Sequence, residues 1–455
     1  MPSAQELDAH HKALTLNLDP SIFGSFAEIG AGQEVAHWFF IVGGASGTVA
    51  KTISAYDKEV SDDLYGSGSR YVSRQRLEAM LDREWDQLVT QLSPTRGLKT
   101  RFFSFVDTVS TRSFAGTNDP HGWVGLRFQM QPGGPPNDVL LHINMRDSVN
   151  VLQQQAVGIL GVNLIYTAFY ERNTEESFLA GLAKEVVKKR IEIDYVDLGG
   201  PAFERWDRRS LLARLVSEGF AEAIFFPSKG PTVPPTEALY KRAVVLAPGY
   251  FGRVAQSQVH MRLLVSAIQE LHKEMGETEL APAGFFCLTA SPFTPDEAAP
   301  EIPDLLRRID ALLAAGGDVL LFSQRELYHM TALVHRYTQA PVRFVAGLSL
   351  IIRALGDVYG NLEGRLLEAL ARLFAQNVRI YAYPMTATDL REKLKDISAL
   401  GWEWSETSGL ISATQLRHAP PLGYLFAYLL ASNFLVPMQV PATEAVTFDR
   451  QLGSS

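Results

Sequence analysis

Hydrophobic and polar positions along the chain change their period twice. Residues 5–15 carry a short helical pattern, and the Gly-rich stretch Phe26 to Asp63 follows, its apolar positions Ile29, Val35, Trp38, Phe39 and Val42 predicting a short buried helix between two loops. Ser73 precedes a run in which Leu77, Met80, Leu81, Trp85, Leu88 and Leu92 recur at helical spacing, which predicts an amphipathic helix. Three β-rich runs at 101–109, 122–130 and 138–145, separated by Gly, Pro and Asn, predict an antiparallel meander. An apolar helix over 148–170 and a charged one over Glu175 to Arg190 come next.

From about residue 191 the pattern becomes an alternation. Short apolar runs at 191–198, 222–227, 243–247, 284–289, 318–323, 342–347 and 378–383 are separated mostly by helical segments, as a parallel sheet covered on both faces requires. The fold class this predicts is α/β: a Rossmann-like, mostly parallel sheet region over 191–400, preceded by an N-terminal α+β region with the meander over 1–190. An irregular segment, 401–455, packs back. Gly200-Pro201-Ala202-Phe203 and Ser291-Pro292-Phe293, each followed by a helix with an Arg pair and a strand, echo one another; duplication and shared βαβ physics both account for that. In a doubly wound sheet the loops after the strands line the ligand crevice, so 199–203, 228–231, 248–253, 290–293 and 323–326 are positions to watch.

Composition narrows the function. With 46% hydrophobic and 20% charged residues the chain reads as globular, and its length favours two or three domains. A net charge of −8 disfavours a sequence-independent nucleic-acid binder. The start of the chain lacks an apolar core behind positive charge, and Leu422 to Met438, the most apolar stretch, is broken by Gly, Ser, Asn and Pro; no membrane partner and a cytoplasmic location are expected. Cys287 is the only cysteine, which leaves no intrachain disulfide and no cysteine-based zinc site, and its apolar run predicts a buried structural thiol.

The Gly-rich stretch carries the first candidate chemistry. Glycines let backbone N–H groups approach an anion, and a helix N-terminus behind them adds partial positive charge, so Gly30, Gly32, Gly43 and Gly44 are candidate anion-binding positions, with Glu34 beside them. The same glycines also let helices pack closely. Glu28-Ile29-Gly30-Ala31-Gly32 looks like the first loop of S-adenosylmethionine-dependent methyltransferases, but Glu34 replaces the third glycine and Gly24-Ser25-Phe26-Ala27 is a poor buried strand. Val49-Ala50 before Lys51-Thr52 rule out a Walker loop, and a dinucleotide fingerprint lacks its third glycine.

Asp107 and His121 are the candidate catalytic pair for proton transfer, with Arg112, Arg127 and Lys51 supplying positive charge. An Asp-Pro turn with a surface histidine is the other reading of Asp119-Pro120-His121. His142 alternates with Leu141 and Ile143 and so lies on the other face of its strand from them, toward His121's strand or solvent. Glu34 and His37 share a helical face but are too few for a metal, and no metal ligands, HExxH motif or Gly-x-Ser-x-Gly elbow are predicted.

FAEIGAGQEVAHWFF, VGGASGTVAKTISAYDKEVSD, RYVSRQRLEAML, DPHGWVGLRFQ, NVLQQQAVGILGVNLIY, GPAF and LYKRAVVL together resemble a family of uncharacterised bacterial proteins of similar length, over nearly the whole chain. The names carried by that family divide between nicotinate-nucleotide adenylyltransferase and TonB-dependent receptor. The receptor name does not fit a chain without a secretion signal or many alternating strands. The adenylyltransferase name implies an ISxTxxR phosphate signature, which Ile411 to Arg417 (ISATQLR) resembles, and an HxGH signature, which is missing. The expected function is binding of, or action on, a phosphorylated or nucleotide-like small molecule, with the cofactor unknown. The alternative is a structural or scaffolding protein that forms a homo-oligomer or filament.

Overall fold

The computed structural model describes residues 8–30, 32–68, 70–116, 118–186, 189–249, 251, 257–276, 281–292, 298–356, 359–386, 410–411 and 422–438. The chain divides into two compact units, 1–224 and 225–455.

Unit 1 is a six-stranded sheet between two helical layers. Its strands are β1 (Ile22–Gly30), β2 (Val49–Ile53), β3 (Arg101–Ser110), β4 (His121–Gln129), β5 (Pro136–Met145) and β6 (Ile191–Gly199), in the order β2-β1-β3-β4-β5-β6. The first three are parallel, and β3 through β6 are antiparallel. The helices are α1 (Ala9–Leu18), α2 (Glu34–Ile41), α3 (Lys58–Tyr65), α4 (Arg74–Arg96), α5 (Asn150–Tyr170), α6 (Glu175–Ala183) and α7 (Arg208–Ser217). Side chains alternate across the sheet. Leu77, Met80 and Leu81 of α4 close one face over Ala27, Ile29, Val106, Trp123, Leu140 and Tyr195. On the other face Phe103 and Phe128 meet Phe169 of α5, and α5 packs through Gly161 against Val35 of α2 and Phe105.

Two expectations change here. Ser25–Ala27, read as a poor strand, lies in one buried from Ile22 to Ile29, because β1 is paired on both edges and covered on both faces. The strand at 191–198, assigned to the Rossmann-like region, pairs antiparallel with β5 and completes the first sheet. Short apolar runs look alike in either setting. The two echoed Pro-Phe loops therefore follow strands of different sheets, one antiparallel and one parallel.

Unit 2 is a doubly wound sheet, and its strands are β7 (Ala223–Phe226), β8 (Val244–Pro248), β9 (Ala283–Thr289), β10 (Asp318–Phe322), β11 (Val342–Gly347), β12 (Val378–Tyr383) and β15 (Leu435–Pro437). A two-stranded antiparallel ladder of β13 (Met385–Thr386) and β14 (Leu410–Ile411) stands apart. The order is β15-β12-β11-β8-β9-β10-β7, with β15, β12, β11, β8, β9 and β10 all parallel. Counting from β8, the six parallel strands run 3-2-1-4-5-6, the order of dinucleotide-binding sheets. The helices are α8 (Pro235–Leu239), α9 (Ser257–Met275), α10 (Ile302–Ala314), α11 (Leu327–Tyr337), α12 (Leu348–Gly356), α13 (Arg365–Leu373) and α14 (Leu422–Ala431). Near the starts of β11 and β12 the buried Arg343 forks onto Glu274 of α9 at 2.5 and 3.0 Å, and Glu274 also accepts from Tyr381 at 2.7 Å. No helix among the described residues is long and apolar enough to cross a membrane.

Candidate functional site

In both sheets the strand order reverses between two parallel strands, and ligands in such sheets sit beyond the carboxyl ends at that reversal. In unit 1 the reversal lies between β1 and β3, where Gly30, Gly32 and Glu34 lead into α2. Val35 and Ala36 of α2, whose N–H groups would greet an anion, donate instead to Glu28 Oε1 at 3.0 and 3.3 Å. The anion role expected of Gly30 and Gly32 is thus taken by the protein's own carboxyl. Gly30 stands at φ +78°, and a Cβ on Gly32 would lie 2.0 Å from Asp107 Oδ1, so glycine is required where the backbone crosses that carboxylate.

Glu28 and Asp107 are direct neighbours on β1 and β3, both buried. Burial pushes the Glu28 carboxyl up to about 8 against the two helix amides, and Glu34 adds to the rise. Burial, then the charge of Glu28, raises Asp107 well above the usual carboxylate range. Among the described residues, neither Asp107 oxygen makes a well-aligned hydrogen bond. Two carboxyls this close and this dry do not both ionise at neutral pH.

The remaining expected residues scatter. Gly43 and Gly44 follow the C-terminal end of α2, where Asn17 donates to the carbonyls of Phe39 and Gly43 at 2.8 and 2.7 Å. That end carries partial negative charge and repels an anion. Lys51 pairs at 2.5 Å with Glu84, a buried α4 carboxylate that also accepts from Tyr65 at 2.9 Å. Arg127 forks onto Asp138 at 2.7 and 2.9 Å and reaches Asp82 at 2.9 Å. Both cations complete the fold. Arg112 is exposed on the loop after β3, its guanidinium beside Gly116.

Asp107 and His121 do not meet. Asp107 shares the α5 face with Phe105, whereas His121 shares the α4 face with Trp123, so the sheet separates the pair. His121 meets His142 instead: its Nδ1 lies 3.1 Å from His142 Nε2, and His142 Nδ1 lies 2.6 Å from Asp194 Oδ1. Asn144 holds the other Asp194 oxygen at 2.8 Å. Burial, and after it His142, push the His121 imidazole down to about 4; Asp194 opposes this and Arg70 adds to it. Asp194 is the residue that sequence reading missed, since its place depends on a register shift.

In unit 2 the reversal lies between β8 and β11. A cavity of about 40 Å³ opens there, lined by Pro248 at the end of β8 and Gly249 after it, Thr289 at the end of β9, Arg325 and Glu326 after β10, and Arg353 of α12. Two of the loops singled out from sequence, 248–253 and 323–326, supply this lining; of the first, only Pro248, Gly249 and Phe251 are described. Arg325 Nε lies 3.5 Å from Glu326 Oε1, while Glu326 Oε2 is buried and, among the described residues, without a partner. The ISATQLR match falls outside the described residues apart from Ile411. No group of three or more metal-ligating side chains forms among the described residues.

No family model matches the chain, and no curated protein matches it. Among solved structures it is similar to the competence/damage inducible protein CihA from Agrobacterium tumefaciens, at 20% identity over 35% of this chain and 92% of that one, with a TM-score of 0.24. It is likewise similar to a competence-damaged protein (CinA) superfamily protein from Enterobacter cloacae, at 13% identity over 37% and 96%, TM-score 0.27. A competence or damage-inducible protein from Enterobacter asburiae gives 14% over 36% and 99%, TM-score 0.26. These likenesses span about a third of the chain and carry no argument about its chemistry.

Proposed function

We propose that unit 2 binds a phosphorylated or nucleotide-like small molecule at the reversal between β8 and β11. The observation that carries the reading is the convergence of Arg325 and Arg353 on a cavity at the carboxyl ends of a sheet ordered 3-2-1-4-5-6. Guanidinium groups match phosphate oxygens in geometry and charge. The start of α12, directly after β11, adds a helix N-terminus on the same side. About 40 Å³ suits one phosphate-sized group, so the rest of the ligand lies across the mouth.

Thermal-shift titration with ATP, NAD, nicotinate mononucleotide, S-adenosylmethionine, sugar phosphates and inorganic phosphate tests this. A ligand at 100 times its Kd adds about 2.7 kcal/mol of stability. The expected outcome is a shift with one phosphate-bearing class that Arg353→Ala abolishes. A panel without any shift, or a shift that Arg325→Ala and Arg353→Ala both leave intact, overturns the reading.

A further inference from the structure

The sheet of unit 1 guards one of its edges and leaves the other open. At the β6 edge the chain returns on itself: the Ile193 N–H donates to Phe220 O at 2.9 Å and the Glu222 N–H to Glu192 Oε1 at 2.7 Å, and the strand is buried along most of its length. β2 forms the opposite edge, and among the described residues β1 is its one strand partner. No residue of β2 is buried, and Ala50 and Thr52 are exposed. Such an edge offers unpaired N–H and C=O groups to another strand.

Lysines pointing into solvent commonly guard edges against that pairing. Here the lysine is turned away. Lys51 folds onto α4, its ammonium 2.5 Å from the buried Glu84 and 3.1 Å from Gln87 Oε1. Apolar side chains flank the edge on both sides of the sheet. On the α5 side α2 exposes Phe40 and Ile41, with Leu18 beside the glycines that follow; on the α4 side Tyr56, just after β2, is 80% exposed and Val60 of α3 about half.

We propose that β2 of a second copy pairs antiparallel with this edge, so that two chains share one continuous sheet about a two-fold axis normal to it. That rotation keeps each face on its own side and sets the amino end of one β2 against the carboxyl end of the other. Charge fits the placement. At the amino end, on the α4 side, stand two exposed cations: Arg96, whose guanidinium lies 4.1 Å over the ring of Phe23, and Lys99. Phe23 precedes Gly24, the residue of β1 that pairs with Val49, so Arg96 is level with the start of β2. At the carboxyl end α3 and its cap expose Asp57, Glu59 and Asp63 against the single Lys58. The two-fold brings each acidic cluster to the other copy's cations. Lys51 meets its symmetry mate at the axis without net repulsion, because each stays with its own Glu84.

Light scattering of the full chain after size-exclusion chromatography tests this. The expected mass is that of two chains. Ala50→Lys combined with Thr52→Lys, both at exposed positions, is expected to halve it while leaving the thermal unfolding transition cooperative. Glu59→Lys with Asp63→Lys on α3 lies outside the strand and serves if the first variant misfolds: it is expected to shift the dimer toward single chains. Adding Arg96→Glu and Lys99→Glu to it is expected to restore the dimer, a rescue that an interface elsewhere does not give. A wild type with the mass of one chain, an assembly larger than two copies, or a dimer that both sets of lysines leave intact overturns the proposal.

Discussion

The two sheets reverse their strand order in the same way and furnish the reversal oppositely. In unit 1 the amides at the start of α2 are occupied by Glu28, and Asp107 lies beneath Gly32. In unit 2 the equivalent space is open and lined by Arg325 and Arg353, with Glu326 beside Arg325. Topology creates the crevice in both, but side-chain charge decides whether it is left for a ligand.

The comparison breaks most severely at Gly32. Gly32→Ala places a methyl 2.0 Å from Asp107 Oδ1, so strand or loop must shift; we expect a loss of about 3 kcal/mol or more in denaturant unfolding of unit 1 and little change in unit 2.

A smaller effect follows from the acid pair. Glu28 has a folded pKa of about 8 against 4.5 for the ordinary side chain, so between those values the folded state holds more protons than the unfolded one. Stability from this pair is complete below about pH 4.5 and is lost as pH rises toward 8. One pKa unit is worth about 1.4 kcal/mol, so the decline is expected to exceed about 1 kcal/mol. Asp107→Asn is expected to flatten it in urea unfolding followed from pH 5 to pH 8.5. A wild-type profile that rises over this range contradicts the assignment.

The smallest change is expected in unit 2. Arg353→Ala without ligand is expected to alter stability by no more than about 1 kcal/mol by urea unfolding, because a half-buried side chain lining an open crevice holds little of the core together.

Much of this architecture is written in local pattern. The alternation of apolar runs and helices in the second half predicts a parallel sheet, because burial on both faces demands short uninterrupted runs. Asp194 was hidden for a different reason: a one-residue bulge changes which face a side chain meets, and no local pattern marks it. Glu28, two residues before Gly30, illustrates a third limit. A glycine-rich turn before a helix reads as an anion site, yet a carboxyl on the strand below fills it, and only the three-dimensional path of β1 into α2 shows this. Lys51 and Arg127 read as ligand cations because their partners come from other elements: Glu84 on α4 for Lys51, and Asp138 on β5 with Asp82 on α4 for Arg127.

Cys287 lies on β9, fully buried, and it touches the crevice between β8 and β11. Burial pushes its thiol pKa up, so the sulfur is inert while the sheet is closed. As the sole thiol of the chain it is a built-in clock: its rate of alkylation measures how often the second sheet breathes, and a molecule seated above it slows that clock.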